Sequence, residues 1–203
     1  MIRLHFSVAS RAFVPLWALE ELGVPYELVD TDIRTKKHKA PAYLAINPMG
    51  KVPALDDDGV IVTETPAICL YLADKYGAGT LAPGFGDPAR GPYLKWCVFA
   101  TAVFEPACWV PPALTEADRS GYGWGARDTM FAALEQGLTP GPWLLGERFS
   151  MADVALGGLF AIAYFNTRIP DRPVFAAYNE RLNARPAYRR AAARTWPPEL
   201  FKP

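Results

Sequence analysis

The chain has 203 residues, 51% of them hydrophobic and 21% charged, which is the composition of a globular protein with a full core and room for one large or two small domains. Lys+Arg and Asp+Glu each number 21, so the net charge is zero and gives no general attraction to nucleic acid or a membrane surface. The cysteines Cys69, Cys97 and Cys108 form no C-x-x-C pair, which argues against a disulfide framework or zinc site and for a reducing compartment, the cytoplasm. No apolar run approaches the roughly 18 residues that cross a bilayer. The alternation in MIRLHFSV reads as a strand, so no signal peptide is expected.

Ile2, Leu4 and Phe6 alternate as a first strand should. Residues 11 to 22 follow as a helix closed by Gly23, and Pro15 confines its regular part to a start just before the proline, leaving Ser7 to Ala12 as an irregular approach. Tyr26 to Asp30 is a second strand, Thr31 to Lys39 a polar loop, and Pro41 to Ile46 a short helical turn. Val52 to Asp56 and Val60 to Thr63 form a hairpin through Asp57-Asp58-Gly59. A helix from Thr65 places Ile68, Leu72 and Tyr76 on one face. This βαβ-then-ββα order predicts an α/β, thioredoxin-like N-terminal domain over 1–79. The Gly- and Pro-rich stretch 77–92 reads as linker, and an all-α C-terminal domain is expected over 87–203, with breaks at Pro111-Pro112 and Thr139 to Pro142. Ser150-Met-Ala-Asp153 is a capping box, with Phe149 and Val154 spaced as a hydrophobic staple.

Residues 47 to 76 carry the most chemistry. Proline after Val52 cannot donate to a strand ladder, and a cis Val52–Pro53 bond would turn the Val52 backbone outward to pair with a ligand. Glu64-Thr65-Pro66 reads as a helix start with Thr65 as cap and Pro66 at the first helical position. A capped helix start attracts a carboxylate and a neighbouring Glu attracts an ammonium, the two charges of a free α-amino acid head.

Together, SRAFVPLWALEELGVPYELV (Ser10 to Val29), INPMGKVPAL (Ile46 to Leu55), TETPAICLYLAD (Thr63 to Asp74) and GERFSMADVAL (Gly146 to Leu156) resemble, in order and spacing, the glutathione transferase family. The resemblance implies that Val52-Pro53 pairs with the cysteinyl backbone of glutathione, that Glu64 and Thr65 grip its γ-glutamyl end, and that glutathione is co-substrate for a small hydrophobic electrophile. It implies a homodimer; the residues themselves offer no Cys/His/Asp/Glu spacing for a metal. Conjugation is the leading activity, glutathione-dependent reduction or isomerisation a close variant, and a non-catalytic regulator on the same fold the rival.

Family members stabilise the glutathione thiolate with a Tyr, Ser or Cys at the end of strand 1 or the start of helix 1. The first tyrosine here is Tyr26 and the first cysteine Cys69, so Ser10 and Ser7 remain, with Ser10 favoured as catalytic residue. The alternative is sulfur held by backbone N–H groups or by Arg11, which stands where the bacterial beta-class sequences carry cysteine. Counted from Trp96, Glu105 takes the place of the beta-class histidine, and an Arg11–Glu105 pair across the domain cleft would answer its charge. Lys36, Lys39 and Lys51 are candidates for the glycyl carboxylate. Phe104, Glu105 and Trp109 are the expected wall of the electrophile site. His5, His38 and the cysteines read as structural, and Arg181, Arg185, Arg189, Arg190 and Arg194 as a solvated helix face.

Overall fold

The structure is a computed structural model that describes residues 1–110 and 121–197; the expected Pro111-Pro112 break lies outside them. Contacts divide the chain into two units: Met1–Gly77 joined by the segment from Arg185 onward, and Ala78–Ala184. This differs from the division at 79 and 87 read from the linker, because the last helix returns to the first unit.

In the first unit, β1 (Ile2–Phe6) pairs in parallel with β2 (Tyr26–Asp30) and antiparallel with β3 (Ala54–Asp57), which pairs antiparallel with β4 (Val60–Thr63), giving the order β2-β1-β3-β4. Ile2, Leu4 and Phe6 point inward as their alternation requires. The β3–β4 turn places Asp58 and Gly59 at φ 52° and 91°, the left-handed pair that a two-residue hairpin needs. Helix α1 (Phe13–Leu22) begins two residues before Pro15 and ends at Gly23, whose φ is 65° and whose N–H reaches the Leu19 carbonyl. After the short α2 (Pro41–Leu44), helix α3 (Thr65–Tyr76) buries Ile68 and Leu72. Tyr76 does not complete that face: it is 37% exposed, and its hydroxyl turns to Asp57.

The C-terminal arginines are not a solvated face only. Helix α9 (Pro186–Thr195) packs on α1; Arg185, just before it, grips Glu21 through Nε at 2.6 Å and Nη2 at 2.7 Å, and Arg190 meets Glu20 at 2.6 Å. Tyr188 lies edge-on to Phe13 and Trp17, at 5.2 and 5.1 Å between ring centres. Past the helix, the Trp196 ring lies tilted against Phe13 at 4.3 Å between ring centres, and the Thr195 carbonyl accepts the Ala9 N–H at 2.9 Å.

The second unit contains α4 (Arg90–Phe99), a wide π turn (Ala100–Phe104), α5 (Glu105–Trp109), α6 (Arg127–Leu138), α7 (Met151–Phe165) and α8 (Pro173–Ala184). The wide turn follows from Pro106, which has no N–H for the Ala102 carbonyl and whose ring would collide with it; Glu105 donates to Ala100 instead. Helix α7 is buried from Met151 to Ala161 and opens with the expected capping box, Ser150 accepting from the Ala152 N–H and Asp153 from the Ser150 N–H at 3.0 Å. Asp153 also accepts from the Leu144 N–H at 2.9 Å and the Tyr178 hydroxyl at 3.1 Å; burial pushes its carboxyl up to about 6 despite these bonds.

Asp57, at the end of β3, is buried under α3 and accepts from Lys75 at 2.6 Å and from the Tyr71 and Tyr76 hydroxyls, each at 2.8 Å. Burial raises its pKa, but Lys75 and the tyrosines outweigh it and hold the group below the ordinary carboxylate value. The native state therefore binds this proton more weakly than the unfolded chain. The stabilisation is present above the unfolded pKa and is lost as pH falls through the folded one. Asp153 contributes with the opposite sign, so the comparison of Asp57→Asn with wild type at each pH isolates Asp57. Denaturant titrations should show the variant less stable at pH 7, with the gap closing towards pH 3. Parallel curves over that whole range would refute the assignment.

Candidate functional site

The sheet register brings the first-unit candidates to one edge. Ala54 faces His5 on one side and Thr63 on the other. The exit of β1 towards Ser7, the entry to β3 at Val52-Pro53 and the exit of β4 at Glu64 therefore share one end of the sheet.

The entry to β3 is held by its own turn. Asn47 is buried; its Nδ2 donates to the Lys51 carbonyl at 2.8 Å, its Oδ1 accepts the Met49 N–H at 3.1 Å, and its carbonyl accepts the Gly50 N–H at 2.8 Å. The Tyr43 hydroxyl, on α2, donates to the same Lys51 carbonyl. Gly50 sits at φ 58°, and a Cβ there would lie 2.8 Å from the Lys39 Nζ and 2.9 Å from the His38 carbonyl oxygen, so only glycine fits. The Val52–Pro53 bond is cis, as expected. Among the described residues, the Val52 N–H and carbonyl meet no hydrogen-bond partner. Lys39 folds back onto the turn, Nζ donating to the Met49 carbonyl at 3.3 Å, while Lys51 is exposed.

The start of α3 departs from the sequence reading. Thr65 is the first helical residue rather than the cap, and Pro66 the second; the cap position is Glu64, whose carbonyl accepts the Ile68 N–H at 3.0 Å. Glu64 takes φ 69° and ψ 120°, a region costing a non-glycine residue about 1–3 kcal/mol. Its carboxylate is exposed, the Thr65 hydroxyl beside it is buried, and neither has a hydrogen-bond or ion-pair partner among the described residues. A carboxylate beside a helix start offers an acceptor for an ammonium, and the first-turn N–H groups offer donors for a carboxylate.

The serines are engaged. The Ser10 hydroxyl donates to the Ser7 carbonyl at 2.7 Å and accepts the Ala12 N–H at 3.2 Å, closing a local side-chain turn just before α1. The Ser7 hydroxyl accepts the Ile33 N–H at 3.2 Å and donates to the Val8 carbonyl at 3.3 Å. Ala9, between them, takes φ 52°, and Arg11 is half-buried. His5, 8% exposed, shares a 3.3 Å contact with the Thr31 hydroxyl, and burial lowers its pKa. Cys69, Cys97 and Cys108 are all buried, and burial pushes the Cys69 and Cys108 thiols up to about 12. Among the described residues no group of three His, Cys, Asp or Glu side chains could hold a metal ion. No described helix is long and apolar enough to cross a membrane.

In the second unit, Phe104 is fully buried between Phe131 and Phe160, at 6.5 and 6.0 Å between ring centres. That packing corrects its expected place in a substrate wall: the ring is core. Glu105 and Trp109 are half-buried, and the Trp109 ring carries the Arg168 guanidinium at 4.2 Å. Sequence reasoning missed Tyr43, Asn47, Gly50 and Arg168. Asn47 and Gly50 were readable in part, since Asn-Pro-x-Gly is an Asx-turn pattern.

The family models for the glutathione S-transferase N-terminal and C-terminal domains match residues 3–74 and 112–193. Glutathione S-transferase GstB of Escherichia coli is 31% identical over 190 residues, 86% of this chain and 89% of that one. A glutathione S-transferase of Hypomyces subiculosus is 40% identical over 109 residues, 53% of this chain; the chain spans about half the length of that relative (51%) and of a Schizosaccharomyces pombe one (47%). The crystal structure of a Methylococcus capsulatus glutathione transferase superposes with a TM-score of 0.79 at 30% identity, covering 96% of this chain and 98% of that one. A Sulfitobacter homologue with bound glutathione gives a TM-score of 0.73 at 26% identity, covering 96% and 98%. The chain belongs to the glutathione S-transferase family.

Proposed function

We propose that the chain binds glutathione at the shared end of its sheet and conjugates it to a small hydrophobic electrophile. The observation that carries this reading is the Glu64–Thr65 junction, a carboxylate without a partner among the described residues, on strained backbone at the start of α3. The γ-glutamyl ammonium meets Glu64 and its carboxylate meets Thr65 and the first turn of α3. The cysteinyl backbone pairs with the unpartnered Val52 peptide before cis Pro53, and the glycyl carboxylate reaches Lys39 or Lys51. The glutathione in the Sulfitobacter homologue supports the choice of tripeptide. Replacing Glu64 with Ala should weaken glutathione binding by about 2–4 kcal/mol, the range for truncating one member of a desolvated charge pair. Calorimetry that finds the affinity unchanged removes the reading.

The sulfur then lies at the turn into α1. Ser10 acts there as thiolate donor if its hydroxyl swings from the Ser7 carbonyl to the sulfur; its engagement in the free protein favours one alternative, sulfur held by main-chain N–H groups or Arg11. A hydroxyl hydrogen bond to an anion contributes about 1.5–3 kcal/mol, so Ser10→Ala should raise the thiol pKa of bound glutathione by about one to two pH units. Thiolate absorbance titrated in Ser10→Ala, Ser7→Ala and Arg11→Ala decides: a shift in Arg11→Ala alone makes this a cation-held sulfur.

The same reading makes the protein a homodimer. The sheet edge supports it: β4 is an outer strand whose Val60 and Ile61 are 49% and 42% exposed, with Met49 exposed as well. Sedimentation at micromolar concentration should give about twice the 22.3 kDa chain mass; a species of single-chain mass would exclude the dimer.

A further inference from the structure

A second cluster lies wholly within the helical unit, where α5 ends and α6 begins. Arg168 stands three residues beyond α7, directly after Thr167, whose φ is 54°. Its Nη1 donates to the Cys108 carbonyl at 3.2 Å, its guanidinium lies 4.2 Å from the centre of the Trp109 ring, and its Nε is buried without a hydrogen-bond partner among the described residues. Arg127, the first residue of α6, donates from Nη2 to the Arg168 carbonyl. Both side chains are half-buried.

Among the described residues neither guanidinium has a carboxylate within 4.0 Å, whereas Arg148 and Arg172 of the same unit pair with Asp87 at 3.1 Å and Glu135 at 2.6 Å. An unpaired, partly desolvated guanidinium donor is unfavourable, and its fork fits the two oxygens of a carboxylate. The start of α6 has no side-chain cap, so its dipole adds attraction for an anion, against which Asp128 beside Arg127 is exposed to water. Glu105 stands one turn before Trp109 on α5, and its charge opposes those of Arg127 and Arg168 at the Cys108 thiol.

We propose that Arg127 and Arg168 form a binding site for the carboxylate of a small organic molecule, with the Trp109 indole beside it. The role of the site rests on the glutathione transferase reading, in which Trp109 walls the second-substrate pocket: the electrophile then carries an anionic group, met by Arg127 and Arg168 beside the expected Trp109.

Benzoate, titrated calorimetrically into the full chain without glutathione, is the probe. Wild type should bind it, and Arg168→Gln and Arg127→Gln should each weaken binding tenfold or more, the loss of a charge-assisted contact. Arg181→Gln is the control, because Arg181 also lies over a tryptophan, Trp143, but its Nε is satisfied by the Pro142 carbonyl at 3.0 Å; its affinity should match wild type. Thermal melts identify a variant that has not folded, and the two variants stand in for each other. The proposal is overturned if wild type does not bind benzoate, if both Arg168→Gln and Arg127→Gln bind it as wild type does, or if inorganic phosphate binds as tightly. Glutathione that binds while benzoate does not sinks this inference alone; benzoate that binds while glutathione does not leaves the site standing and removes its role.

Discussion

The candidate site depends on one constraint, the position of β3 between β1 and β4 with antiparallel pairing on both sides. Because the side-chain period of a strand is two, the hydrophobic residues of β1 and β3 admit a single register. That register sets three chain crossings at one end of the sheet: the turn into α1, the cis Val52–Pro53 turn and the Glu64 junction. Each crossing is then fixed by local chemistry. Asn47 and Tyr43 converge on the Lys51 carbonyl, Ser10 closes the turn before α1, and Glu64 is held at positive φ between a strand and a helix, both of which are anchored. The Val52 peptide and the Glu64 carboxylate, which have no hydrogen-bond partner among the described residues, lie where these anchors meet.

Much of this was legible in the residues themselves. Alternation located β1, Gly23 and Pro15 bounded α1, Asp58-Gly59 made the hairpin, and a proline in an otherwise strand-like run pointed to the cis bond. What escaped was geometry that spacing cannot encode. Thr-Pro looks like a cap and first helical residue, yet the left-handed turn at Glu64 moves the start of α3 by one position. A serine before a helix can donate outward or bind its own backbone, and only the three-dimensional path of Ser7 to Ala12 shows the second. Phe104 carried no mark separating a cleft wall from core; its fate was decided by Phe131 and Phe160, far away in sequence.

The arginines teach the same lesson about charge. Read locally, five of them interleaved with alanine near the C-terminus suggest a wet surface. In space, Arg185 and Arg190 meet Glu21 and Glu20 on α1, partners more than 160 positions earlier. Arg168 shows the converse, a cation whose nearest neighbours are a carbonyl and an indole, and whose unanswered charge gives it chemical interest.

The return of α9 to α1 has a consequence for how the chain matures. The first unit is discontinuous: its closing helix follows the whole of Ala78–Ala184 in the order of synthesis. At about 5–20 residues per second, the nascent chain carries α1 with its Phe13 and Trp17 face bare for an interval on the order of ten seconds. Over that time the helical unit can already collapse on its own contacts, and the bond from Ala9 to Thr195 is among the last to form. The turn leading into α1, where the proposed chemistry takes place, is thus set only when the end of α9 emerges.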